Sequence, residues 1–211
     1  MLDTLRRQGD DPGVRAEAIA ILERGLADIA GVVRATLVAY REDREARPLT
    51  PEALDDLRLL IRHEAERRRL RLAWENRLDV PVPVAAGSLR QALLNLLLNA
   101  CRAAPVGGRV RFSARPDDDR LVLEVADDGA GLPDSLEPAL LRPDEAVPRR
   151  GQGLGLWIAG RLLADLGARV SLERPEEGGT RVVIVLPVPA AVCEGGDGDR
   201  VGTAGGGAGG G

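Results

Sequence analysis

The 211-residue sequence contains no lysine, a single histidine and very few aromatic residues. The absence of lysine excludes mechanisms that require one, such as those of phosphate-loop nucleotide hydrolases, eukaryote-type protein kinases and Schiff-base enzymes. One histidine cannot supply a multi-histidine metal site. Because aromatic residues make up only 2% of the chain, the core has to be built from leucine, valine, isoleucine and alanine.

The sequence is also poor in cysteine and has no long apolar run. Cys101 lies in a predicted helix and Cys193 beside a glycine-rich tail, so they indicate neither a disulfide framework nor a zinc site. A reducing compartment is the simpler interpretation. The net charge of −4 predicts no nucleic-acid partner. No apolar run approaches the roughly 18 residues of a membrane span, and the polar N-terminus is no signal peptide.

The N-terminal region predicts a long helix from Val14 to about Arg41. Its apolar residues recur at gaps of three and four and form a narrow seam: Ile19, Leu22, Leu26, Ile29, Val33, Leu37 and Tyr40. Such a seam is typical of a coiled coil or helical bundle, so we expect a second helix, a second chain, or both, to cover it. The alternative is a helix that packs on its own globular domain.

After this region we predict a linker over 42–50, a globular domain over 51–190 and a disordered glycine-rich tail over 191–211. Thr50 and Pro51 are typical of a helix start. The predicted buried residues of that helix are Leu54, Leu57, Leu60 and Ile61.

Alternating apolar residues then predict six strands, around 70–74, 80–84, 110–114, 121–125, 170–172 and 182–186. Prolines make the second an edge strand, and residues 116–119 connect the third and fourth as a hairpin. Two helices interrupt the strands, Ser88–Ala104 and Leu154–Leu166. The pattern predicts a two-layer α/β sandwich, with a mixed sheet and helices on one face.

The first of these helices carries a polar stripe. Ser88 and Gln91 have the spacing of a capping box, which predicts that the helix begins there. Steps of four, four and three place four polar residues on one face: Gln91, Asn95, Asn99 and Arg102. Amide oxygens are hard ligands suited to Mg²⁺, and an arginine beside them is suited to phosphate. The alternative is an ordinary solvated helix face.

Three glycine-rich loops adjoin the strands. Residues 127–131 (Asp-Asp-Gly-Ala-Gly) end the fourth strand, where a carboxylate can accept a hydrogen bond from an exocyclic amine and glycines admit a flat ring. Residues 151–156 (Gly-Gln-Gly-Leu-Gly-Leu) lead into a helix whose N-terminal amides suit phosphate. Residues 177–180 (Glu-Gly-Gly-Thr) precede the last strand. Each loop alone is also explained by a turn or by tight packing.

Residues 132–150, between the first two loops, contain four prolines that are expected to interrupt any helix: Pro133, Pro138, Pro143 and Pro148. A charged segment of this kind between two glycine loops predicts a mobile lid over a ligand. The alternative is an ordinary surface loop, although this one is long for a compact domain.

In this order, the polar helix and the loops resemble the ATP-binding domain of bacterial sensor histidine kinases, in the superfamily shared with DNA gyrase, Hsp90 and MutL. Residues 91–100 resemble the family's N box, residues 127–131 its G1 box, residues 151–156 its G2 box, and Gly179-Thr180 its final glycine-threonine pair. The resemblance extends from about Pro51 to Pro189. It implies the Bergerat-type fold of that superfamily, with ATP and Mg²⁺ as ligands.

The resemblance also implies roles for individual residues. Asn99 would coordinate Mg²⁺ with help from Asn95, Arg102 would contact phosphate, and Asp127 would bind the adenine amino group. The other implied nucleotide contacts are Gly129, Gly131, Gly151, Gly153, Leu154, Gly155, Leu156 and Thr180. ATPase relatives carry a glutamate at the position of Asn95. The amide here favours phosphoryl transfer over hydrolysis, because no carboxylate is placed there to activate water.

The sequence departs from the family pattern in the lid and at the phosphoacceptor. Asp128 replaces the usual asparagine, and residues 140–143 do not form the family's phenylalanine box. Residues 1–41 resemble part of the dimerisation hairpin, with the helix over 14–41 as its second helix, and the acceptor histidine belongs on the helix before it. After His63-Glu64 the chain continues Ala-Glu-Arg, where the family has Leu-Arg-Thr-Pro. We therefore interpret it as a solvated helical histidine.

These observations predict a catalytic module that transfers the γ-phosphoryl group of ATP to a histidine absent from this chain. It would be a cytoplasmic protein-histidine kinase, incomplete without an acceptor. Its expected partners are a histidine-bearing dimerisation domain or intact kinase, a downstream response regulator, and a second copy bound through residues 14–41. Two alternatives are a non-catalytic nucleotide-binding or dimerisation module and a serine kinase of the anti-sigma type.

Overall fold

The computed structural model of the chain describes residue 13 and residues 47–145 and 153–188. In chain order its elements are α1 (Pro51–Arg67), β1 (Arg71–Asn76), α2 (Ala86–Ala103), β2 (Arg109–Asp117), β3 (Arg120–Asp127), α3 (Glu137–Leu141), α4 (Leu154–Asp165), β4 (Arg169–Glu173) and β5 (Thr180–Pro187). The strands form one sheet in the order β1-β2-β3-β5-β4. The predicted seam helix over 14–41 and the tail over 191–211 lie outside the described residues.

The sheet is mixed, as predicted. β1 runs parallel to β2, and the other neighbouring strands are antiparallel. Alternate residues of β5 are buried, with Val182, Ile184 and Leu186 in the core, whereas in the outer strands β1 and β4 alternate residues are only half-buried. On the opposite sheet face, strand residues such as Arg71 and Arg111 are exposed. The helices therefore cover one face, and the predicted two-layer α/β architecture is confirmed.

Helix α1 begins where the sequence predicts it. The Thr50 hydroxyl accepts a hydrogen bond from the backbone N–H of Ala53 at 3.2 Å, and Pro51 occupies the first turn, where a missing N–H costs nothing. Residues Leu54, Leu57, Ile61 and Ala65 face the core. The predicted burial of Leu60 is wrong: it is 56% exposed, because it lies at the margin of the stripe that these residues form.

The predicted edge strand around 80–84 is absent from the described part of the chain. Val82 instead forms an isolated bridge with Leu49, with N–O distances of 2.8 and 2.7 Å in the two directions. Pro81 and Pro83 flank it and have no N–H to donate, so a continuous ladder cannot form. Val82 is buried nonetheless, which explains why an apolar residue occurs at the centre of this strand-like pattern.

Helix α2 begins two residues earlier than predicted. Its N-cap is Ala85, and no side chain caps it. Ser88 lies within the first turn and is buried, and Gln91 is only 2% exposed. The predicted capping box is therefore wrong. Backbone contacts with the segment before α1 hold this end instead, because Ala86 donates to the carbonyl of Arg47 at 3.4 Å.

The β2–β3 hairpin determines where the end of β3 lies. Asp118, with a φ of 52°, occupies the predicted turn, and the register runs from Asp117 opposite Arg120 to Val110 opposite Asp127. On its other side Asp127 pairs with Thr180, the first residue of β5. The last residue of β3 thus lies in the middle of the sheet, between two neighbouring strands.

Among residues 47–145 and 153–188, no helix combines the length and the apolar character that a membrane span requires.

Candidate functional site

The polar stripe of α2 passes from the interior to the surface. Gln91 is buried, Asn95 and Asn99 are half-buried, and Arg102 is exposed in the last turn. A fully solvated helix face would expose all four residues. The stripe is therefore not an ordinary solvated helix face. Its two asparagine amides lie at the boundary between core and solvent.

Asp127 is a buried carboxylate, with 9% of the residue exposed. Its Oδ1 accepts a hydrogen bond from the backbone N–H of Gly129 at 2.8 Å, and the backbone of Thr180 also hydrogen-bonds to it. Burial raises the pKa of Asp127 above its ordinary value, and these two backbone hydrogen bonds oppose that effect. The carboxylate is thus held in a fixed orientation by its own loop and by β5.

The loop after Asp127 lies against the end of α2. A Cβ atom at residue 129 would lie 2.4 Å from the carbonyl oxygen of Ala103, so only glycine allows the two segments to approach this closely. Ala103 is one helical turn beyond Asn99. The close contact therefore brings the carboxylate-bearing loop to the half of α2 that carries the amide stripe.

The neighbouring carboxylate, Asp128, is engaged in the backbone. Its Oδ1 accepts a hydrogen bond from the N–H of Arg109 at 2.8 Å, where β2 begins. This contact joins the first residue of β2 to the residue after β3. The Asp128 carboxylate thus binds the backbone of β2, whereas the Asp127 carboxylate binds the backbone of its own loop and of β5.

The third glycine loop packs directly on the first. A Cβ at Gly179, whose φ is +92°, would lie 2.0 Å from the carbonyl oxygen of Asp127. Thr180 follows it and is buried opposite Asp127. From sequence alone, this loop is predicted to be a plain turn unless the other two loops are functional. In the structure it forms the support beneath the Asp127 backbone.

The second glycine loop is described from Gly153 onward; Gly151 and Gln152 lie outside the described residues. Gly153 is the left-handed N-cap of α4. The first amides of a helix have no acceptor within the helix, so those at the start of α4 are available to an anion. A Cβ at Gly155 would meet no atom of the described residues within 4 Å, whereas the side chain of Leu156 is buried. Leu156 can therefore contribute only its backbone to a ligand.

The predicted lid contains a short helix, which corrects the expectation that its prolines interrupt every helix. Pro138 lies in the first turn of α3, where its missing N–H breaks no hydrogen bond. Ala139 and Leu140 of this helix are buried, and α3 packs on α4. Residues 146–152 of the segment lie outside the described residues.

Two sets of contacts anchor the described half of this segment. Arg174, just after β4, contacts the carboxylates of Asp134 and Glu137 and donates to the carbonyl of Leu132 at 3.3 Å. At the other end, the indole N–H of Trp157 donates to the carbonyl of Pro143 at 2.8 Å. The sequence did not predict these anchors, because they join residues that are distant along the chain.

The sequence's histidine and the buried cysteine of α2 have no predicted role in this site. His63 is exposed on α1, as expected for a solvated histidine. Cys101 is buried in α2, and burial raises the pKa of its thiol to about 11, so it is protonated at neutral pH. Among the residues the structure describes, no group of three or more histidine, cysteine, aspartate or glutamate side chains could hold a metal ion.

Comparison with known proteins identifies relatives of this fold and site. Residues 85–190, half of the chain, match the family model described as histidine kinase-, DNA gyrase B-, and HSP90-like ATPase. The sensor histidine kinase GtrS of Pseudomonas aeruginosa is 37% identical over 136 residues, which are 63% of this chain and 28% of GtrS. The sensor protein CreC of Escherichia coli is 30% identical over 185 residues, 82% of this chain and 38% of CreC.

Solved structures show the same architecture. Full-length ShkA in complex with AMPPNP superposes with a TM-score of 0.58 and 26% identity, covering 84% of this chain and 39% of ShkA. The mycobacterial sensor histidine kinase MprB gives a TM-score of 0.51 and 26% identity, covering 65% of this chain and 93% of that structure. The chain spans less than two fifths of the length of the curated relatives GtrS and CreC.

Proposed function

Because the chain belongs to the family of histidine kinase-, DNA gyrase B-, and HSP90-like ATPases, we propose that residues 51–190 are the Mg-ATP-binding catalytic module of a sensor histidine kinase. The similarity to the sensor histidine kinase GtrS favours this branch of the family over the hydrolases. The observation that carries the proposal is the buried, backbone-anchored carboxylate of Asp127, held by Gly129 against the half of α2 that bears Asn95 and Asn99.

Asp127 binds the adenine end of the nucleotide. An ionised carboxylate has about four acceptor positions, so the two backbone donors leave capacity for an exocyclic amino group. The raised pKa that burial causes is a free-energy penalty on the empty site, and a donor from the base relieves it. The close packing of Gly179 beneath Asp127 keeps this acceptor fixed.

The amide stripe and the start of α4 bind the charged end. Asn95 and Asn99 offer hard oxygen donors suited to Mg²⁺, and Arg102 offers a guanidinium suited to phosphate. The open space around Gly155 leaves room for phosphate oxygens near the amides of α4. These residues fit Mg-ATP: when bound, the nucleotide supplies the phosphoryl group and the metal neutralises its developing charge.

Asn95 directs the site toward phosphoryl transfer. A side-chain amide cannot accept a proton from water at neutral pH, so no general base for hydrolysis stands at this position. The residues of the site then hold the nucleotide and exclude water, while the acceptor histidine supplies the nucleophile. Positioning and charge stabilisation are the main contributions of the protein in reactions of this type.

The acceptor histidine lies outside this chain in our proposal. His63 is exposed on α1 and is the only histidine of the sequence. A histidine-bearing dimerisation domain or an intact kinase would therefore be the partner, with a second copy of this chain bound through residues 14–41 and a response regulator downstream. We place this activity in the cytoplasm, where ATP is available.

A transfer assay tests the proposal. The full chain is incubated with labelled ATP and Mg²⁺, alone and with a dimerisation hairpin domain that carries an acceptor histidine. We expect acid-labile label on the hairpin only, no label with Asn99→Ala, and unchanged transfer with His63→Ala as the matched control. Label on the chain itself that His63→Ala removes would contradict the assignment of the acceptor. ATP binding without any transfer would favour the non-catalytic module.

A further inference from the structure

Two buried side-chain atoms on the same face of α2 have no hydrogen-bond partner among the described residues. One is the acceptor Oε1 of Gln91, and the other is the donor Nδ2 of Asn95. Gln91 is 2% exposed. Leaving a buried amide atom unpaired is unfavourable, so native structures do so rarely, and a group of this kind calls for an explanation.

The local structure of the helix does not explain Gln91. Because α2 begins at Ala86, Gln91 cannot be the partner residue of a capping box at Ser88. A leucine at this buried position would leave no polar atom unpaired. The amide is therefore better explained by a hydrogen bond that forms when the site is occupied.

The two unpaired atoms are complementary. Gln91 and Asn95 are four residues apart, so their side chains are neighbours on the helix surface. The Gln91 Oε1 atom lacks a donor, and the Asn95 Nδ2 atom lacks an acceptor. The side-chain amide of asparagine is planar, so a hydrogen bond that fixes its nitrogen also fixes the direction of its oxygen.

We propose that Gln91 is a positioning residue: when the site is occupied, its Oε1 accepts a hydrogen bond from Nδ2 of Asn95 and thereby directs the Asn95 oxygen toward the bound Mg-nucleotide. This inference rests on the proposed function, because it needs a ligand for the Asn95 oxygen. Gln91 itself touches neither nucleotide nor metal, since it is buried in the helix layer. It acts on affinity through Asn95 alone.

A double-mutant cycle tests this inference. The variants are Gln91→Met, which keeps the length of the side chain but removes the acceptor, Asn95→Ala, and the two combined. Gln91→Glu, which retains an acceptor oxygen, is the conservative control. The readouts are the affinity for a non-hydrolysable ATP analogue, measured calorimetrically with Mg²⁺ and with chelator, and the free energy of unfolding of the ligand-free chain in urea.

We expect Gln91→Met to weaken Mg-dependent binding about three- to tenfold, the usual range for one hydrogen bond. It should have no effect when residue 95 is already alanine. Gln91→Glu should retain more of the affinity than Gln91→Met. The stability of the ligand-free chain should not fall, because the substitution removes an unpaired buried atom.

An equal loss of affinity in the Asn95→Ala background, or a loss of ligand-free stability with unchanged binding, would overturn the positioning role and leave a structural one. Wild-type binding that responds to Mg²⁺ and to Asn99→Ala but not to Gln91→Met would overturn this inference alone. Wild-type protein that shows no Mg-dependent binding would overturn the proposed function, and this inference with it.

Discussion

At the scale of single residues, the ionisation of the Asp127 carboxyl affects the stability of the fold and, in our proposal, the binding of the nucleotide. Burial raises the pKa of its carboxyl, so the folded chain holds this proton more tightly than the unfolded chain does. As the pH rises from the ordinary carboxyl value of about 3.9 through the raised value, the ionised carboxylate therefore destabilises the fold. This cost in stability at neutral pH is what our proposal expects of a carboxylate that binds a nucleotide.

Asp127→Asn separates these two effects. The asparagine oxygen can still accept the Gly129 hydrogen bond, so we expect the ligand-free variant to be at least as stable as the wild type at pH 7. The difference should shrink as the pH falls through the raised pKa of Asp127 toward about 4, below which the wild-type carboxyl is neutral in both the folded and the unfolded chain. Urea unfolding across this pH range measures it. Lower stability at pH 7 would mean that the carboxylate charge stabilises the empty fold, contrary to our account.

Nucleotide affinity should respond to Asp127→Asn in the opposite direction. Loss of a hydrogen bond to a charged acceptor lowers affinity about ten- to a hundredfold. Binding of an ATP analogue measured by calorimetry provides this test. Unchanged affinity in a stable variant would remove Asp127 from the adenine site.

Gly155 offers a second comparison between stability and binding. A Cβ there meets no atom within 4 Å in the described part of the chain, and alanine is favoured over glycine in helices by about 1 kcal/mol. Gly155→Ala should therefore fold at least as well as wild type. If phosphates occupy the open space, the variant should bind ATP more weakly. Gly179→Ala is the contrasting case: its Cβ would lie 2.0 Å from the Asp127 carbonyl oxygen, and we expect that variant to be severely destabilised. Wild-type affinity in Gly155→Ala would place the phosphates elsewhere.

At the scale of elements, some helix starts and hairpin turns are determined by nearby residues and can be predicted from the sequence. The Thr50 cap, the turn at Asp118 and the five strands of the sheet were all predicted from local patterns. The errors arose where long-range contacts replace local ones. Val82 pairs with Leu49 alone, and α2 begins with a backbone contact to Arg47 instead of a side-chain cap.

The cap of α1 can be tested directly. Thr50→Ala should lower the free energy of unfolding by about 1 kcal/mol, because the N–H of Ala53 loses its acceptor. Thr50→Ser keeps the hydroxyl and should restore most of the loss. Urea denaturation of the three proteins gives the comparison. Equal stability of the alanine and wild-type chains would show that this cap contributes little to the domain.

The Arg174 contacts are expected to order the described half of the lid. Removing them by Arg174→Ala frees Asp134 and Glu137, so backbone hydrogen exchange should accelerate at Leu136, Ala139 and Arg142. Exchange in the β2–β3 hairpin should not change. Arg111→Ala, an exposed arginine on the uncovered sheet face, is the matched control. Exchange in the lid that is as slow as in wild type would show that the Trp157 anchor suffices.

At the scale of the whole molecule, the topology brings together groups that the sequence separates. The sheet places Asp127 between β2 and β5, and the contact at Gly129 joins its loop to α2. The order of the motifs and the family resemblance predicted from sequence which residues to assign to one site, and that assignment stays a prediction. Burial of Gln91 and the contacts of Arg174 were not predicted, since both depend on packing between distant segments.

The central claim is that Asn99 and Asp127 act on one magnesium-bound adenine nucleotide. Calorimetric titration of the full chain with a non-hydrolysable ATP analogue, with Mg²⁺ and with chelator, tests it most directly. We expect wild-type protein to bind more tightly with Mg²⁺ and Asn99→Ala to lose only this metal-dependent part. Binding that is indifferent both to Mg²⁺ and to Asn99→Ala, or no binding at all, would contradict it.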